Sequence, residues 1–188
     1  MKNITGIILA GGKSSRMGED KGVLLLQDKP MIQYVIEELQ KVTDSILIIA
    51  NNKAYQQFNL PIFEDLIKDK GPIGGIYTGL SYSKTEQNLC ISCDTPNLPA
   101  SLLKLLINQS NNHQITIPRY NNKLHPLSGV YTKDLIPFFE AKIKNNELKL
   151  KDAIIETKHN IIDITPKQYP PSAFYNMNCK EDLKRLKL

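Results

Sequence analysis

The sequence predicts an α/β fold in three layers around a mostly parallel central sheet. Short apolar runs of strand length alternate with stretches of helical periodicity through the first part of the chain. This alternation requires crossover connections, which are right-handed and place helices on both faces of a parallel sheet. The length of 188 residues fits one compact domain. We therefore expect a single domain over residues 1–188.

The first part of the chain predicts four strands with helices between them. Apolar residues at positions 31, 32, 35, 36, 39 and 42 repeat with a helical period, and Pro30 stands where a first helical turn tolerates proline. Each strand is a short apolar run that ends at glycine or at polar residues. The expected strands are 4–9, 45–50, 62–63 and 89–93, and the expected helices are 31–42, 73–83 and one beginning near Pro99.

The rhythm changes after residue 113. Two strand-like runs, 114–118 and 127–131, are joined by a link over 119–123 that is rich in turn formers. A helix is expected around 134–145, with Pro137 in its first turns, and a further helical turn over 152–156. A last strand over 160–164 and an amphipathic helix over 181–188 complete the prediction.

Composition excludes several classes of protein. With 41% hydrophobic and 23% charged residues, the chain is neither disordered nor fibrous. It has no stretch of about 18 uncharged apolar residues and no signal-peptide pattern, so we expect a cytoplasmic protein without a membrane partner. The net charge of +5 suggests nucleic acid, but only three of the 24 basic residues are arginine and the lysines are scattered among acids. We expect no nucleic-acid partner.

Cys90 and Cys93 form a C-x-x-C motif that is also found in redox and zinc sites. The motif lies in a predicted strand, where residues three apart point to opposite faces. The two sulfurs should therefore pack separately in the core. The three histidines show no spacing typical of zinc ligands.

Polar groups follow three of the predicted strands, and parallel strands bring such groups to one edge of the sheet. They are Gly11-Gly12, Glu64-Asp65 and Asp94. The segment 11–21 combines glycines with cations at positions 13, 16 and 21, which suits an anion. It is not a Walker A loop, because Met17 stands where that motif requires glycine, and we interpret it as a phosphate-binding loop of another kind.

Asp94 follows its strand directly, in a turn that Pro96 and Pro99 stiffen. Such a carboxylate can hold a divalent cation against triphosphate oxygens, or it can cap the next helix. Asp65 has the same two interpretations, and its neighbour Glu64 could serve instead. The residues alone leave both interpretations open.

Five blocks of sequence, in order, resemble a known family. Together they are similar to nucleotidyltransferases with a Rossmann-like fold and, more narrowly, to molybdenum cofactor guanylyltransferases, the MobA family. The first block is Leu9-Ala10-Gly11-Gly12 with Ser15-Arg16-Met17-Gly18 and Asp20-Lys21-Gly22. The others are residues 71–76, 93–99, 125–131 (His125-Pro126-Leu127-Ser128-Gly129-Val130-Tyr131) and 176–183.

The resemblance implies transfer of GMP from GTP to the phosphate of molybdenum-bearing molybdopterin, with Mg²⁺ as cofactor. It implies a nucleotide-binding half over 1–112 and an acceptor half over 113–188. Leu9, Ala10, Gly11, Gly12 and Asp65 would contact the nucleotide. Lys21 would bind its phosphates, and Asp94 would bind the metal. Arg16 would stabilise the leaving pyrophosphate. Asn176 and Asn178 match a family Asn-x-Asn pair near the reacting groups, although strand-end and N-cap hydrogen bonding would also explain them.

The resemblance does not separate the guanylyltransferase from every related protein. A molybdenum cofactor cytidylyltransferase shares the loop, but its signature usually has alanine where Gly11 stands, and the glycine pair leaves room for a purine. Two further candidates are a sugar-1-phosphate nucleotidyltransferase and a non-catalytic carrier of nucleotide or pterin. Ser128 and Cys179-Lys180 depart from the family pattern on the pterin side. We expect a monomer, with other molybdenum cofactor biosynthesis proteins as partners.

Overall fold

The structure is a computed structural model that describes residues 3–11 and 21–177. The strands are β1 (Ile4–Leu9), β2 (Leu25–Leu26), β3 (Lys29–Pro30), β4 (Ser45–Ile49), β5 (Ile62–Phe63), β6 (Gln87–Ser92), β7 (Ile115–Tyr120), β8 (Lys123–Leu124), β9 (Ser128–Thr132) and β10 (His159–Ile164). The α-helices are α1 (Met31–Gln40), α2 (Gly71–Tyr82), α3 (Ala100–Asn108), α4 (Ile136–Lys144) and α5 (Leu150–Ile155). Short 3₁₀ turns cover Lys21–Val23, Lys53–Phe58, Lys133–Leu135 and Pro171–Phe174.

The main sheet has the strand order β10-β7-β9-β6-β1-β4-β5, with β8 attached to β7. Strand β1 lies in the middle of the parallel part, so that Ile7 is opposite Leu47 of β4 on one side and Cys90 of β6 on the other. Strand β9 is antiparallel to both β6 and β7, and β10 is parallel to β7. The carboxyl ends of β1, β4, β5, β6, β7 and β10 therefore share one edge of the sheet.

Two separate hydrophobic clusters cover the two faces of the sheet. Ile4 and Ile8 of β1 belong to the cluster beneath α1 and α3. Ile7 and Leu9 of the same strand belong to the cluster beneath α2, α4 and α5. This division follows from the alternation of side chains along a strand. It confirms the predicted three-layer α/β fold with a mostly parallel sheet.

The two cysteines of the C-x-x-C motif lie in different clusters. Cys90 is buried in the cluster beneath α2, and Cys93 is buried in the cluster beneath α1 and α3. Burial raises the pKa of the Cys90 thiol far above its ordinary value. The prediction that these sulfurs pack apart in the core is confirmed.

Turn chemistry produces the differences from the predicted elements. The link 119–123 is a tight turn at Asn121 and Asn122, whose φ angles of 46° and 59° suit a two-residue hairpin loop, so β7 continues to Tyr120 and pairs with β8. The hairpin β2–β3 and the 3₁₀ turn over Lys53–Phe58 were not predicted, because elements this short have no periodicity. The expected helix over 181–188 and the loop 12–20 lie outside the described residues. Within 3–11 and 21–177, no helix has the length and apolar character needed to cross a bilayer.

Candidate active site at the carboxyl edge of the sheet

Backbone hydrogen bonds hold the ends of four parallel strands in line. The amide of Ala10 donates to the carbonyl of Ile49 at 2.9 Å, and the amide of Cys93 donates to the carbonyl of Leu9 at 3.1 Å. The amide of Ala50 donates to the carbonyl of Phe63 at 3.0 Å. The residues that follow these strands therefore emerge side by side. They are Gly11, Asn51, Glu64-Asp65 and Asp94.

Asp65 is held in place by Asn51. The side-chain amide of Asn51 donates to Oδ2 of Asp65 at 3.0 Å, and the backbone amide of Asp65 donates to Oδ1 of Asn51 at 3.2 Å. Burial raises the pKa of the Asp65 carboxyl, and the hydrogen bond from Asn51 partly offsets that rise. A carboxylate with a fixed orientation and a raised pKa at the carboxyl edge of a parallel sheet is typical of a binding site.

Gly11 lies against this pair. A β-carbon placed on Gly11 would lie 3.5 Å from Oδ2 of Asp65 and 3.9 Å from Nδ2 of Asn51, so a side chain would fill the space in front of the carboxylate. The neighbouring Glu64 is 69% exposed and pairs with Lys68 at 4.0 Å. Of the two adjacent carboxylates, Asp65 is therefore the one that faces Gly11.

Tyr55 connects the two described ends of the predicted phosphate-binding loop. Its side chain is fully buried, and its hydroxyl donates to the carbonyl of Ala10 at 3.3 Å. A β-carbon at Gly22 would collide with the same hydroxyl and lie 2.9 Å from Cε1 of the ring. Only glycine fits there without a shift, so Lys21, the preceding residue, is held close to the end of β1. Gly12 and Arg16 lie outside the described residues.

Asp94 lies in a turn that its neighbours fix. The hydroxyl of buried Thr95 donates to the carbonyl of Ser92 at 2.9 Å. Asp94 does not cap the next helix: Pro99 occupies the N-cap position of α3, and the amide of Ala100 donates to Oε2 of Glu38 at 2.6 Å. The interpretation of Asp94 as a helix cap is therefore wrong. Its carboxylate is left for another contact.

That contact comes from the C-terminal segment. The side-chain amide of Asn176 lies 3.3 Å from both carboxylate oxygens of Asp94, and the amide of Met177 donates to the Asp94 carbonyl at 2.9 Å. Residues 82 positions apart in the chain thus meet at the end of β6. Asn178, the second residue of the predicted Asn-x-Asn pair, lies outside the described residues.

The Asp94 carboxylate fits a hard divalent cation. It offers oxygen donors at a partly exposed position, and the amide of Asn176 fixes their orientation. Mg²⁺ typically takes one or two carboxylates and obtains its other ligands from phosphate and water. In the described part of the chain, no group of three or more His, Cys, Asp or Glu side chains could form a cage for a metal. The available donors therefore suit a cation that arrives with a phosphate ligand.

Sequence reasoning missed two residues of this edge. Asn51 directly follows the predicted strand 45–50, the same type of position that drew attention to Gly11 and Asp94, so its signal was present in the sequence. Tyr55 gave no signal, because a tyrosine five residues beyond the predicted strand 45–50 is usually interpreted as a core residue. Its contacts depend on how the 3₁₀ turn packs beneath β1.

Comparisons with known proteins identify the family of this chain. Residues 6–160 match the model of the MobA-like NTP transferase domain. A Flavobacterium johnsoniae protein named probable molybdenum cofactor guanylyltransferase is 41% identical over 87% of each chain. The Vibrio campbellii molybdenum cofactor guanylyltransferase is 34% identical over 94% of this chain and 91% of its own.

A solved structure shows the same fold. Molybdopterin-guanine dinucleotide biosynthesis protein A from Archaeoglobus fulgidus superposes with a TM-score of 0.79 at 21% identity, over 96% of this chain and 95% of that one. The family match spans most of the sequence and includes the strands that carry Gly11, Asp65 and Asp94. The chain therefore belongs to the family of MobA-like NTP transferases.

Proposed function

We propose that the protein transfers GMP from GTP to the phosphate of molybdopterin that carries molybdenum. The products are pyrophosphate and the guanine dinucleotide form of the cofactor. The names of the Flavobacterium and Vibrio relatives support this reaction. The observation that carries the proposal is the meeting of Asp94 with Asn176 at the end of β6, beside the glycine loop that follows β1.

The nucleotide occupies the side of the edge formed by β1, β4 and β5. Leu9, Ala10, Gly11 and Gly12 contact GTP through backbone and shape, and Asp65, oriented by Asn51, binds the nucleoside. Lys21 binds the phosphates, and Arg16 stabilises the leaving pyrophosphate. Cations and free amides around a triphosphate are what phosphoryl-type transfer requires, since it depends on positioning and charge neutralisation.

Asp94 holds Mg²⁺. Held there by the carboxylate, the ion would supply positive charge to offset the negative charge of the triphosphate oxygens. Asn176 keeps the Asp94 carboxylate in one orientation. The phosphate of the acceptor is already ionised at neutral pH, so it attacks the α-phosphorus without a dedicated general base.

The acceptor occupies the other side of the edge. Residues 1–112 form the nucleotide-binding half and residues 113–188 the acceptor half, within one domain. Asn176 and Asn178 lie near the reacting groups. The protein acts as a monomer and receives its pterin from other molybdenum cofactor biosynthesis proteins.

Thermal unfolding with Mg²⁺ and each of GTP, CTP, ATP and UTP tests the nucleotide assignment. A ligand at 100 times its Kd stabilises the folded state by about 2.7 kcal/mol. For a domain of this size the midpoint then rises by roughly 5–10 °C. We expect this rise with GTP alone.

The remaining outcomes have definite meanings. A rise that is selective for CTP would replace the guanylyltransferase by the cytidylyltransferase. A rise with the pterin alone, and no further rise with any of the four nucleotides, would favour a non-catalytic carrier of the pterin.

A further inference from the structure

The block 125–131 resembles its family counterpart, yet the proposed reaction gives His125 no role. The structure places it at the carboxyl edge. The backbone amide of His125 donates to the carbonyl of Pro118 in β7 at 3.0 Å. Leu127 lies two residues after His125, and its carbonyl accepts from the amide of Ser92 at 2.9 Å. Ser92 is the last residue of β6 and precedes Asp94 by two residues. His125 therefore lies beside the end of β6, on the acceptor side of Asp94.

The imidazole of His125 is polar, nine-tenths buried and without a hydrogen bond. Only 9% of the residue is exposed. Its ring contacts Phe174 with centroids 4.8 Å apart, and Phe174 precedes Asn176 by two residues. Within residues 3–11 and 21–177, the ring nitrogens of His125 form no hydrogen bond. These nitrogens are not sealed from solvent, so a molecule bound at this edge can reach them and supply a hydrogen bond.

A second unpaired group lies against the same aromatic ring. Tyr120, at the end of β7, stacks on Phe174 with centroids 4.6 Å apart. Its hydroxyl is buried and has no hydrogen-bond partner in the described part of the chain. The imidazole of His125 and the phenol of Tyr120 thus meet at one aromatic ring, and the imidazole is the group that a ligand at this edge can reach.

The surrounding charge indicates the class of that ligand. Burial, with smaller contributions from the nearby positive charges of Lys123 and Lys151, lowers the pKa of His125 to about 4. At neutral pH the ring is uncharged, with one nitrogen donating and the other accepting. Both lysines are exposed and attract an anion. Aromatic walls, a neutral hydrogen-bonding ring and two cations together suit a phosphorylated heteroaromatic molecule.

We propose that His125 hydrogen-bonds to the phosphorylated pterin acceptor, with Lys123 and Lys151 attracting its negative charge. This inference rests on the proposed function, since it assigns that reaction's acceptor to these residues. It makes His125 a specificity-determining residue for the acceptor, with no contact to GTP.

The test uses His125→Asn and Lys151→Gln in the full-length protein. The second variant changes an exposed charge without touching the core, so it reports on the surface even if the first folds poorly. His159→Asn is the matched control, because His159 lies at the opposite end of β10 and its Nδ1 already has the Thr157 carbonyl at 3.0 Å. Molybdopterin binding is followed anaerobically by pterin fluorescence, alongside GTP affinity, the midpoint of thermal unfolding, and the KM and kcat of turnover.

We expect His125→Asn to weaken molybdopterin binding roughly tenfold and Lys151→Gln roughly threefold, as loss of a hydrogen bond and of a screened charge would give. In both variants the KM for the acceptor should rise, while the affinity for GTP stays within about twofold of the wild-type value. His159→Asn should change neither substrate's affinity. Acceptor binding that is unchanged in both test variants overturns the proposal, as does an equal loss of GTP and acceptor affinity.

Direct titration separates this inference from the proposed reaction. If the wild type binds molybdopterin and His125→Asn does not, but no dinucleotide forms with GTP, the proposed reaction fails and the assignment of His125 stands. If the wild type turns over normally and His125→Asn matches it in acceptor binding, the assignment of His125 fails alone.

Discussion

The half of the chain to which we assign the nucleotide and the half to which we assign the acceptor hold their polar groups in different ways. In residues 1–112, the polar groups come at the ends of parallel strands, and Asn51, after β4, fixes Asp65, after the neighbouring β5, over 14 residues of chain. In residues 113–177, β9 reverses the strand direction, and Asn176 reaches Asp94 over 82 residues. The ends of neighbouring parallel strands therefore position the polar groups of residues 1–112. Contacts between distant segments of the chain position those of residues 113–177. Asp94 lies where the two halves meet.

Asp94→Asn should impair both halves at once and have the greatest consequence for activity. The amide keeps the size of the carboxylate but removes the charge that holds the metal, so we expect kcat to fall at least about a hundredfold. The midpoint of thermal unfolding should change little, since the side chain is only half-buried. Steady-state kinetics in Mg²⁺ measure the effect. Wild-type activity in this variant would remove Asp94 from the metal site.

Asp134→Asn is the control for that change. Asp134 accepts from the side chain of Gln114 at 2.9 Å, just before α4 and away from the carboxyl edge. The activity of Asp134→Asn should match that of the wild type.

Lys21→Ala should affect the nucleotide half alone. If Lys21 makes a charged hydrogen bond to phosphate, GTP affinity falls by about 1.5–3 kcal/mol, and acceptor affinity is unchanged. Calorimetric titration with GTP measures this loss, and Lys104→Ala on the exposed face of α3 is the control. An unchanged Kd for GTP in Lys21→Ala would place the lysine outside the site.

The acceptor half should show its own dependence on pH. The pKa of His125 is about 4 in the folded protein, below its ordinary value of 6.5. Below about pH 6.5, His125 therefore binds a proton in the unfolded chain but not in the folded one. Its contribution to the free energy of unfolding is fully present above that pH and decreases toward pH 4. Between pH 7 and pH 5, the protonation of His125 alone should lower the free energy of unfolding by about 2 kcal/mol.

Urea unfolding of the wild type and His125→Asn at both pH values checks this prediction. The variant should lose less stability on acidification, by about the same 2 kcal/mol. Asp65 contributes to the pH dependence with the opposite sign. Because its pKa is raised in the folded protein, its contribution to stability increases as the pH falls through that pKa. Equal pH slopes for the two proteins would contradict the depressed pKa of His125.

Tyr55→Phe should have a small effect that is confined to the nucleotide loop. It removes the hydroxyl that bonds Ala10, for a loss of about 1 kcal/mol of stability. Tyr34→Phe is closely matched, since Tyr34 donates to the carbonyl of Leu26 at 2.7 Å in the β2–β3 hairpin. Both variants should lose similar stability, but only Tyr55→Phe should weaken GTP binding, roughly threefold. Equal GTP affinity in the two variants would make Tyr55 a core residue only.

The nucleotide half was the more predictable from sequence, for a physical reason. An apolar run that ends in glycine or aspartate marks a strand end, and parallel strands bring their ends together whatever the loops do. Gly11, Asp65 and Asp94 were found in this way. The choice between Glu64 and Asp65 was not, because it depends on which side chain turns toward Gly11.

The acceptor half depended on contacts that no local pattern contains. The turn at Asn121 and Asn122 lies within the predicted link 119–123, but the continuation of β7 through Tyr120 and its pairing with β8 were missed. The nearness of Asn176 to Asp94 was expected only from the family resemblance. The contact of His125 with Phe174 joins residues 49 positions apart, and packing alone brings them together.

Formation of the dinucleotide from purified components is the decisive measurement for the proposed reaction. Purified protein, Mg²⁺ and anaerobic molybdenum-bearing molybdopterin are incubated with GTP or with CTP, and the cofactor and pyrophosphate are quantified by chromatography. We predict molybdopterin guanine dinucleotide and an equal amount of pyrophosphate with GTP, and neither product with CTP. Preferential formation of the cytosine dinucleotide, or binding of both substrates without any pyrophosphate, would contradict the proposed reaction.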